Sequence, residues 1–186
     1  MKIKKNNKIT FDPESKESVQ GVLKYLIEHD LLSGLDLSRA NLSCTNLACA
    51  SLKGASLECA DLEDAMLTSA KLKRTDLTDV DFEGSDLAFA RLSGVNLKSA
   101  NLSGADISDA DLRDAHLRGV NLEGAHLEDA WLRGAHLEGA ILWGADLKGA
   151  EIRRPRLEKG ETYSEWADLP GSNELEYLII TRRKTQ

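Results

Sequence analysis

Histidine, cysteine and carboxylate side chains are the groups in this chain that are able to hold a metal ion or catalyse a reaction. His116 and His136 are twenty residues apart. Two imidazoles can bind a metal, but the sequence offers no obvious third ligand. We therefore predict a solvated pair, and we predict no metal site.

The three cysteines, Cys44, Cys49 and Cys59, show neither metal-ligand spacing nor a disulfide framework. Their odd number predicts unpaired thiols and a reducing cytoplasm. The chain contains no nucleophile motif and no glycine loop for phosphate. Its many Ser and Asp residues recur at fixed positions of a repeat. We therefore predict that the protein is not an enzyme and has no cofactor.

The repeat begins at Leu35 and ends at Lys159. From Leu37 to Leu157 a large apolar residue occupies every fifth position, 25 times in succession, and a small residue usually precedes it by two positions. All ten glycines between Leu35 and Lys159 lie two positions after the large residue. A period of five fits neither a helix nor a strand. It predicts a chain that turns a corner in each repeat, with the glycine position at φ > 0.

The motifs at 145–149 (ADLKG), 100–104 (ANLSG) and 110–114 (ADLRD) resemble the pentapeptide-repeat family, A(D/N)LXX. The resemblance implies an all-β solenoid, a right-handed quadrilateral parallel β-helix with four repeats in each coil of twenty residues. The Leu and Ala side chains would point inward, and residues 35–159 would form about six coils. Each coil can bury its apolar side chains only by stacking on another coil.

The flanking segments do not follow the repeat. We predict that residues 1–34 form an N-terminal arm, either loosely attached or a short strand pair packed on the cap, followed by an amphipathic helix over 13–32. Asp12 is a plausible helix start and Gly34 a plausible stop. We predict that this helix caps the open end of the column.

At the other end, Pro155 is a sensible terminator because it lacks a backbone donor. Residues 160–186 are apolar enough to form a C-terminal cap or a homodimer contact. Residues 173–183 fit a helix and a strand equally well.

Composition limits the partners. The net charge is −7, which argues against direct nucleic-acid binding by the whole body. No apolar run approaches the ~18 residues of a membrane span, and no secretory leader is apparent.

With twenty residues per coil, the outward residues sort into four walls. The basic wall, built on Leu52, Leu72 and their successors, carries nine bases against three acids. Its candidate binding residues are Lys53, Lys71, Lys73, Arg74, Arg91, Arg113 and Arg133, with Arg153 and Arg154 beyond them.

The first acidic wall, on Leu42, Leu62 and Phe82, lies opposite the basic wall and carries six acids and no base. The adjoining second acidic wall, on Leu47, Leu67 and Leu87, carries six acids and one base. The mixed wall, on Leu37 and Leu57, completes the column. Candidate binding carboxylates on the acidic walls are Asp61, Glu63, Asp64, Asp81, Glu83, Glu123, Asp86, Asp106 and Asp109.

Few apolar residues point outward, so each is informative. Met66 and Phe89 belong to the second acidic wall with Ala48 and Ala88, and we expect a small contact patch there. Ile141 and Trp143 lie on the first acidic wall, and Trp131 on the basic wall. We expect the C-terminal segment or a second copy of the chain to cover Ile141 and Trp143.

Three functions remain. The first is a non-catalytic solenoid that binds a partner protein through a charged wall. The second is implied by the family resemblance: some pentapeptide-repeat proteins bind DNA gyrase with an acidic, DNA-like column. The third, nucleic-acid binding by the basic wall, has little support because only Trp131 supplies an aromatic group.

Overall fold

The computed structural model describes residues 2–4, 8–10, 16–151, 163–164 and 181–182. From residue 36 to residue 151 the chain forms twenty parallel β-bridges, and each joins residues that are twenty positions apart. Asn41 bridges Asp61, which bridges Asp81, and three equivalent series follow at intervals of five residues. One coil therefore takes twenty residues and has four bridged positions, which confirms the predicted sorting of residues into four walls.

The bridges are isolated rather than part of continuous strands, because a turn follows each one. The amide of Leu62 donates to the carbonyl of Asp81 in the next coil (2.7 Å), and the amide of Asp61 donates to Ala40 in the previous coil (3.0 Å). Within the repeat, Ala65 N donates to Leu62 O (3.0 Å) and closes the corner. This corner explains why a five-residue period replaces ordinary strand alternation.

The turn position two after each large residue has a positive φ, as the confinement of glycine predicted. All ten glycines of the repeat have φ between 64° and 78°. Non-glycine residues at the same position also have positive φ: Arg39, Cys44, Cys49, Cys59, Asp64, Ser69, Arg74, Asp79, Phe89, Ser99, Asp109, Asp114 and Asp129. We call this position the turn slot.

The interior is a single hydrophobic cluster that runs along the column. The central residues from Leu37 to Leu132 are fully buried, and so are the small residues from Ala50 to Ala130. Thr45, Thr75 and Ser85 are also buried, at small-residue positions. Towards Leu137 and Ala145 the cluster becomes only partly buried. The inward positions expected from the sequence are confirmed for these residues.

The N-terminal helix, α1, spans Lys16–Glu28 and ends four residues before the expected end at 32, whereas the expected start, Asp12 and residues 13–15, lies outside the described residues. It ends in a Schellman motif, in which Leu31 N donates to Leu26 O (2.8 Å) and Asp30 N donates to Ile27 O (3.1 Å). Asp30, at φ 53°, takes the left-handed position that usually favours glycine. The prediction that Gly34 stops the helix was therefore wrong.

Gly34 instead belongs to the column. Its amide donates to Lys53 O (3.0 Å), and its φ is 71°, like the turn-slot glycines that follow. Leu32 is fully buried in the position of a central residue, so the stacking extends one repeat further towards the N-terminus. Leu23 and Leu26 of α1 belong to the same hydrophobic cluster. That α1 serves as a cap stays a prediction.

Two short strand pairs complete the described chain. Strands β1 (Lys2–Lys4) and β2 (Lys8–Thr10) pair antiparallel with Ile3 opposite Ile9, so the arm contains the expected strand pair; that this pair packs on the cap stays a prediction. Strands β3 (Tyr163–Ser164) and β4 (Thr181–Arg182) also pair antiparallel. The end of the 173–183 segment is thus extended, while Pro155 and the rest of that segment lie outside the described residues. Within the described part, no helix has the length and hydropathy to cross a membrane.

Candidate interaction surfaces

The walls carry two kinds of carboxylate: those that accept a hydrogen bond from a backbone amide and those that do not. The amide that follows each central residue donates no hydrogen bond to the backbone within the described part of the column. Where Asp or Asn precedes the central residue, its Oδ1 accepts from this amide: Asp61 from Glu63 N (3.1 Å), for example, and Asp81 from Glu83 N (3.1 Å). These Asx turns give the D/N of the repeat motif a structural function.

A ladder of side chains runs along the first acidic wall. Asn41 Nδ2 donates to Asp61 Oδ2 (2.9 Å), Asn101 Nδ2 donates to Asp81 Oδ1 (3.0 Å), and Asn121 Nδ2 donates to Asn101 Oδ1 (3.1 Å). The sequence analysis missed the asparagines as members of this surface. Their spacing of twenty or forty residues from the two aspartates was the available signal.

The remaining carboxylates of the first acidic wall are solvent-facing. Glu63, Asp64, Glu83 and Glu123 are all exposed, and none forms an ion pair with a base in the described part of the chain. Glu83 accepts from Asn101 (3.2 Å). Asp64 lies over Gly84, where an added Cβ would approach Asp64 Oδ1 to 2.5 Å. These four residues are therefore the ones on this wall that are available to a partner.

The second acidic wall shows the same division. Asp86 accepts from Ala88 N (3.0 Å) and Thr68 Oγ1 (2.7 Å), and Asp106 accepts from Ser108 N (3.0 Å). Asp146 likewise accepts from Lys148 N (2.9 Å), whereas Asp109 and Asp129 occupy turn slots and are exposed.

The residues of the predicted apolar patch differ in exposure, and a joint contact surface stays a prediction. Ala88 is only 8% exposed, whereas Met66 is 46% and Phe89 is 56% exposed. Met66 occupies the bridged position and Phe89 the turn slot, so they lie at opposite edges of the wall. Phe89 is next to the basic wall.

The basic wall is less ordered by hydrogen bonds. Lys53, Lys71, Lys73, Arg74, Arg91 and Arg133 are exposed and form no ion pair with the described acids. In four coils the residue before the central leucine is neither Asp nor Asn (Ser51, Lys71, Arg91 and Trp131). Those coils have no Asx turn on this wall.

Arg113 is the exception on the basic wall. Its Nε and Nη2 donate to the two carboxylate oxygens of Asp111, both at 2.7 Å, and its guanidinium lies 5.0 Å from the ring centre of Trp131. The hydrogen bond from Arg113 lowers the pKa of Asp111 below its usual value. Arg113 is thus held by its own chain and is less available to a partner than its neighbours are.

The histidines lie where the repeat predicted. His116 and His136 stack with ring centres 5.1 Å apart, and both are exposed. His126 contacts Glu128 (3.3 Å) on the second acidic wall. No group of three metal-ligating residues lies within the described residues. Cys44, Cys49 and Cys59 are exposed, unpaired thiols in the turn slot.

Two apolar residues are exposed near the C-terminal end of the first acidic wall. Ile141 is 51% and Trp143 is 62% exposed. Most of the segment expected to cover them lies outside the described residues, and a covering second copy stays a prediction.

Comparison with known protein families identifies the same repeat. The family model for pentapeptide repeats matches the chain in eight copies, between residues 31 and 154. No match was found among curated proteins.

Solved pentapeptide-repeat structures are similar to part of the chain. HetL, a pentapeptide-repeat protein involved in heterocyst differentiation regulation in the cyanobacterium Nostoc, is 41% identical (TM-score 0.42); the match covers 64% of this chain and 58% of HetL. Rfr23 from Cyanothece is 37% identical (TM-score 0.39), with 50% and 60% covered. QnrB1, a plasmid-mediated fluoroquinolone resistance protein, is 20% identical (TM-score 0.43), with 64% and 78% covered. The chain belongs to the pentapeptide-repeat family, whose members fold as right-handed quadrilateral β-helices.

Proposed function

We propose that this chain is a non-catalytic interaction column, a right-handed quadrilateral β-helix capped by α1, that binds a partner protein through its first acidic wall. The carboxylates of Glu63, Asp64, Glu83 and Glu123 are the contact groups. Solenoids offer long, regular surfaces of this kind. We place the column in the cytoplasm, where its three thiols remain reduced.

The observation that supports this proposal is the separation of charge between walls. The carboxylates are exposed on one wall, with no base on that wall. Residues in the same slot of adjacent coils are ~4.8 Å apart, so their fields add. A surface with one sign of charge attracts a partner of the opposite sign and increases the association rate.

The test is a double charge reversal at exposed positions that accept no backbone hydrogen bond. The variant Glu63→Lys/Glu123→Lys is compared with the wild-type chain as bait in a bacterial lysate, and captured proteins are quantified by mass spectrometry. The affinity of the principal captured protein is then measured by titration. We expect the reversal to weaken binding at least about tenfold, because like charges now face each other.

A matched control is available on the mixed wall. Glu58 and Glu138 occupy the same slot, so Glu58→Lys/Glu138→Lys makes the same change in net charge. We expect this control to bind within about twofold of the wild type, with both variants unchanged in melting temperature. Equal loss in both variants would contradict a role for the first acidic wall in particular.

The alternative function is DNA mimicry towards DNA gyrase or another DNA-handling enzyme. Together the two acidic walls carry twelve acids and one base. Over six coils, or ~29 Å, this is about one net negative charge per 2.6 Å, against one per ~1.7 Å in duplex DNA. The charge density thus comes within a factor of two of that of the duplex.

A gyrase supercoiling assay tests this alternative. We expect micromolar protein to change the supercoiling rate, and Glu63→Lys/Glu123→Lys to remove the effect. Glu58→Lys/Glu138→Lys should retain it. Supercoiling that is unaffected by the wild-type chain would rule out gyrase and leave the general interaction function standing.

A further inference from the structure

Phe89 is unlike every other residue in the turn slots. Between Gly34 and Gly149 the other slots hold only glycine, aspartate, serine, cysteine or arginine. Phe89 has φ 60° and is 56% exposed. A bulky side chain is unfavourable at this φ because its Cβ crowds the backbone.

The unfavourable backbone conformation of Phe89 is not offset by burial of its side chain in the interior of the column. The side chain points away from the core, whereas the adjacent Ala88 and Ala90 are buried. A glycine at position 89 would give the same turn without crowding, as Gly84 and Gly94 do on the neighbouring walls. Exposed aromatic rings of this kind are common centres of protein interfaces, because a partner can bury a large rigid surface at little entropic cost.

The surroundings of Phe89 indicate the chemistry of the partner. In the next two coils the same slot holds Asp109 and Asp129, both exposed, at steps of ~4.8 Å. Lys148 is the single base of the second acidic wall. Across the corner the basic wall begins with Arg91 beside Phe89, but with Asp111 and Trp131 beside the two aspartates. Along this edge, a partner therefore meets an aromatic ring followed by two carboxylates.

We infer that Phe89, Asp109 and Asp129 form a docking edge for a basic, extended segment of a partner protein. An apolar side chain of the segment packs on the Phe89 ring, and its arginine or lysine side chains pair with the two carboxylates. This inference rests on the proposed function and adds a second contact surface to it.

The binding test uses a defined probe, because the partner is unidentified. A fluorescent ten-residue peptide of alternating arginine and leucine is titrated with the full-length protein, and anisotropy is recorded. We expect Phe89→Gly to weaken binding about tenfold, the loss typical of an aromatic anchor. Asp109→Asn/Asp129→Asn, which keeps residues that tolerate positive φ, should weaken it by a similar factor and reduce its dependence on salt.

Ser99→Gly is the matched control, since Ser99 occupies a turn slot of the mixed wall at φ 58°. It should bind the peptide like the wild type. In thermal unfolding, Phe89→Gly should melt about 2–4 °C higher than the wild type, because the crowded backbone is relieved. Unchanged peptide binding by Phe89→Gly, or a lower melting temperature, would overturn the inference, since Phe89 would then be dispensable or structural.

The lysate experiment separates this inference from the proposed function. If the wild type captures a partner that depends on Glu63 and Glu123, and Phe89→Gly captures it equally well and binds the peptide normally, only the docking edge is wrong. If no partner depends on Glu63 and Glu123 but the peptide result holds, the docking edge stands and the first acidic wall is wrong.

Discussion

The first acidic wall and the basic wall stand on opposite sides of the same column, yet their charges have different origins. On the first acidic wall, Asp61 and Asp81 accept backbone amides and asparagine side chains. On the basic wall, Lys71 and Arg91 occupy the same slot and cannot accept a hydrogen bond. Part of the negative charge on the first acidic wall therefore stabilises the turns. The number of acidic residues on a wall is larger than the number of carboxylates that are available to a partner.

The largest expected effect comes from truncating buried leucines, and it tests whether the two walls pack on the same hydrophobic core. Leu102, behind the first acidic wall, and Leu112, behind the basic wall, are both 1% exposed. Leu102→Ala and Leu112→Ala should each lower the free energy of unfolding by about 2–5 kcal/mol, through lost burial and a residual cavity. Urea denaturation measures both. A large difference between the two losses of unfolding free energy would mean that the outward residues of a wall influence the packing of the interior behind it.

The next largest effect comes from outward residues of the two walls. Asp81→Ala leaves the amide of Glu83 without an acceptor and removes one of the two acceptors of the Asn101 side chain, so we expect a loss of about 1–3 kcal/mol. Arg91→Ala, in the same slot of the basic wall, should change stability by about 0.5 kcal/mol or less. Asp81→Asn keeps an acceptor and is the control for charge. If Asp81→Ala and Arg91→Ala are equally mild in urea denaturation, the Asx turns contribute little.

A third comparison concerns the polar side chains inside the column. Ser85, between the two acidic walls, is 1% exposed, and its Oγ has no hydrogen-bond partner among the described residues. Thr75, between the basic and mixed walls, donates to Leu52 O (2.8 Å). Ser85→Ala should therefore raise stability by about 1 kcal/mol, and Thr75→Val should lower it by about the same amount. Thermal unfolding of both variants checks the opposite signs.

The smallest effect is the pH dependence of the Asp111–Arg113 pair. Because the pKa of Asp111 is lowered in the folded chain, the pair stabilises the fold above the ordinary carboxyl pKa of about 3.9. That contribution is lost as the pH falls through the lower folded pKa. Asp111→Asn should cost less than about 1 kcal/mol at pH 7, and its difference from the wild type should shrink as the pH falls below the ordinary carboxyl pKa. Melting temperatures from pH 7 to pH 3 measure this, and a constant difference would contradict the assignment.

Periodicity made much of the fold predictable. A residue five positions along repeats the same local environment, so the inward slots and the turn slot follow from counting. The twenty-residue register followed from the resemblance to the pentapeptide-repeat family. The end of α1 did not follow, because the Schellman bonds of Asp30 and Leu31 depend on backbone geometry that the sequence pattern does not contain. Gly34 was misread for the same reason.

The candidate surfaces were only partly predictable. Counting placed Asp61, Glu63, Asp81 and Glu83 on one wall, and the bridges confirm that placement. Counting could not separate carboxylates that accept backbone amides from carboxylates that face solvent, because this depends on which side-chain oxygen lies within hydrogen-bond distance of a backbone amide. The contact of Arg113 with Trp131 likewise joins residues of adjacent coils.

By itself, the sequence determined which side chains point inward, because a strict five-residue period leaves no other register for 25 large apolar residues. The resemblance to the family added the four-repeat coil, and with it which charges share a wall. The tertiary structure alone decided which of those charges are free. The reason is physical: an amide left out of the backbone ladder takes the nearest oxygen as its acceptor, and only the folded coil brings that oxygen within reach.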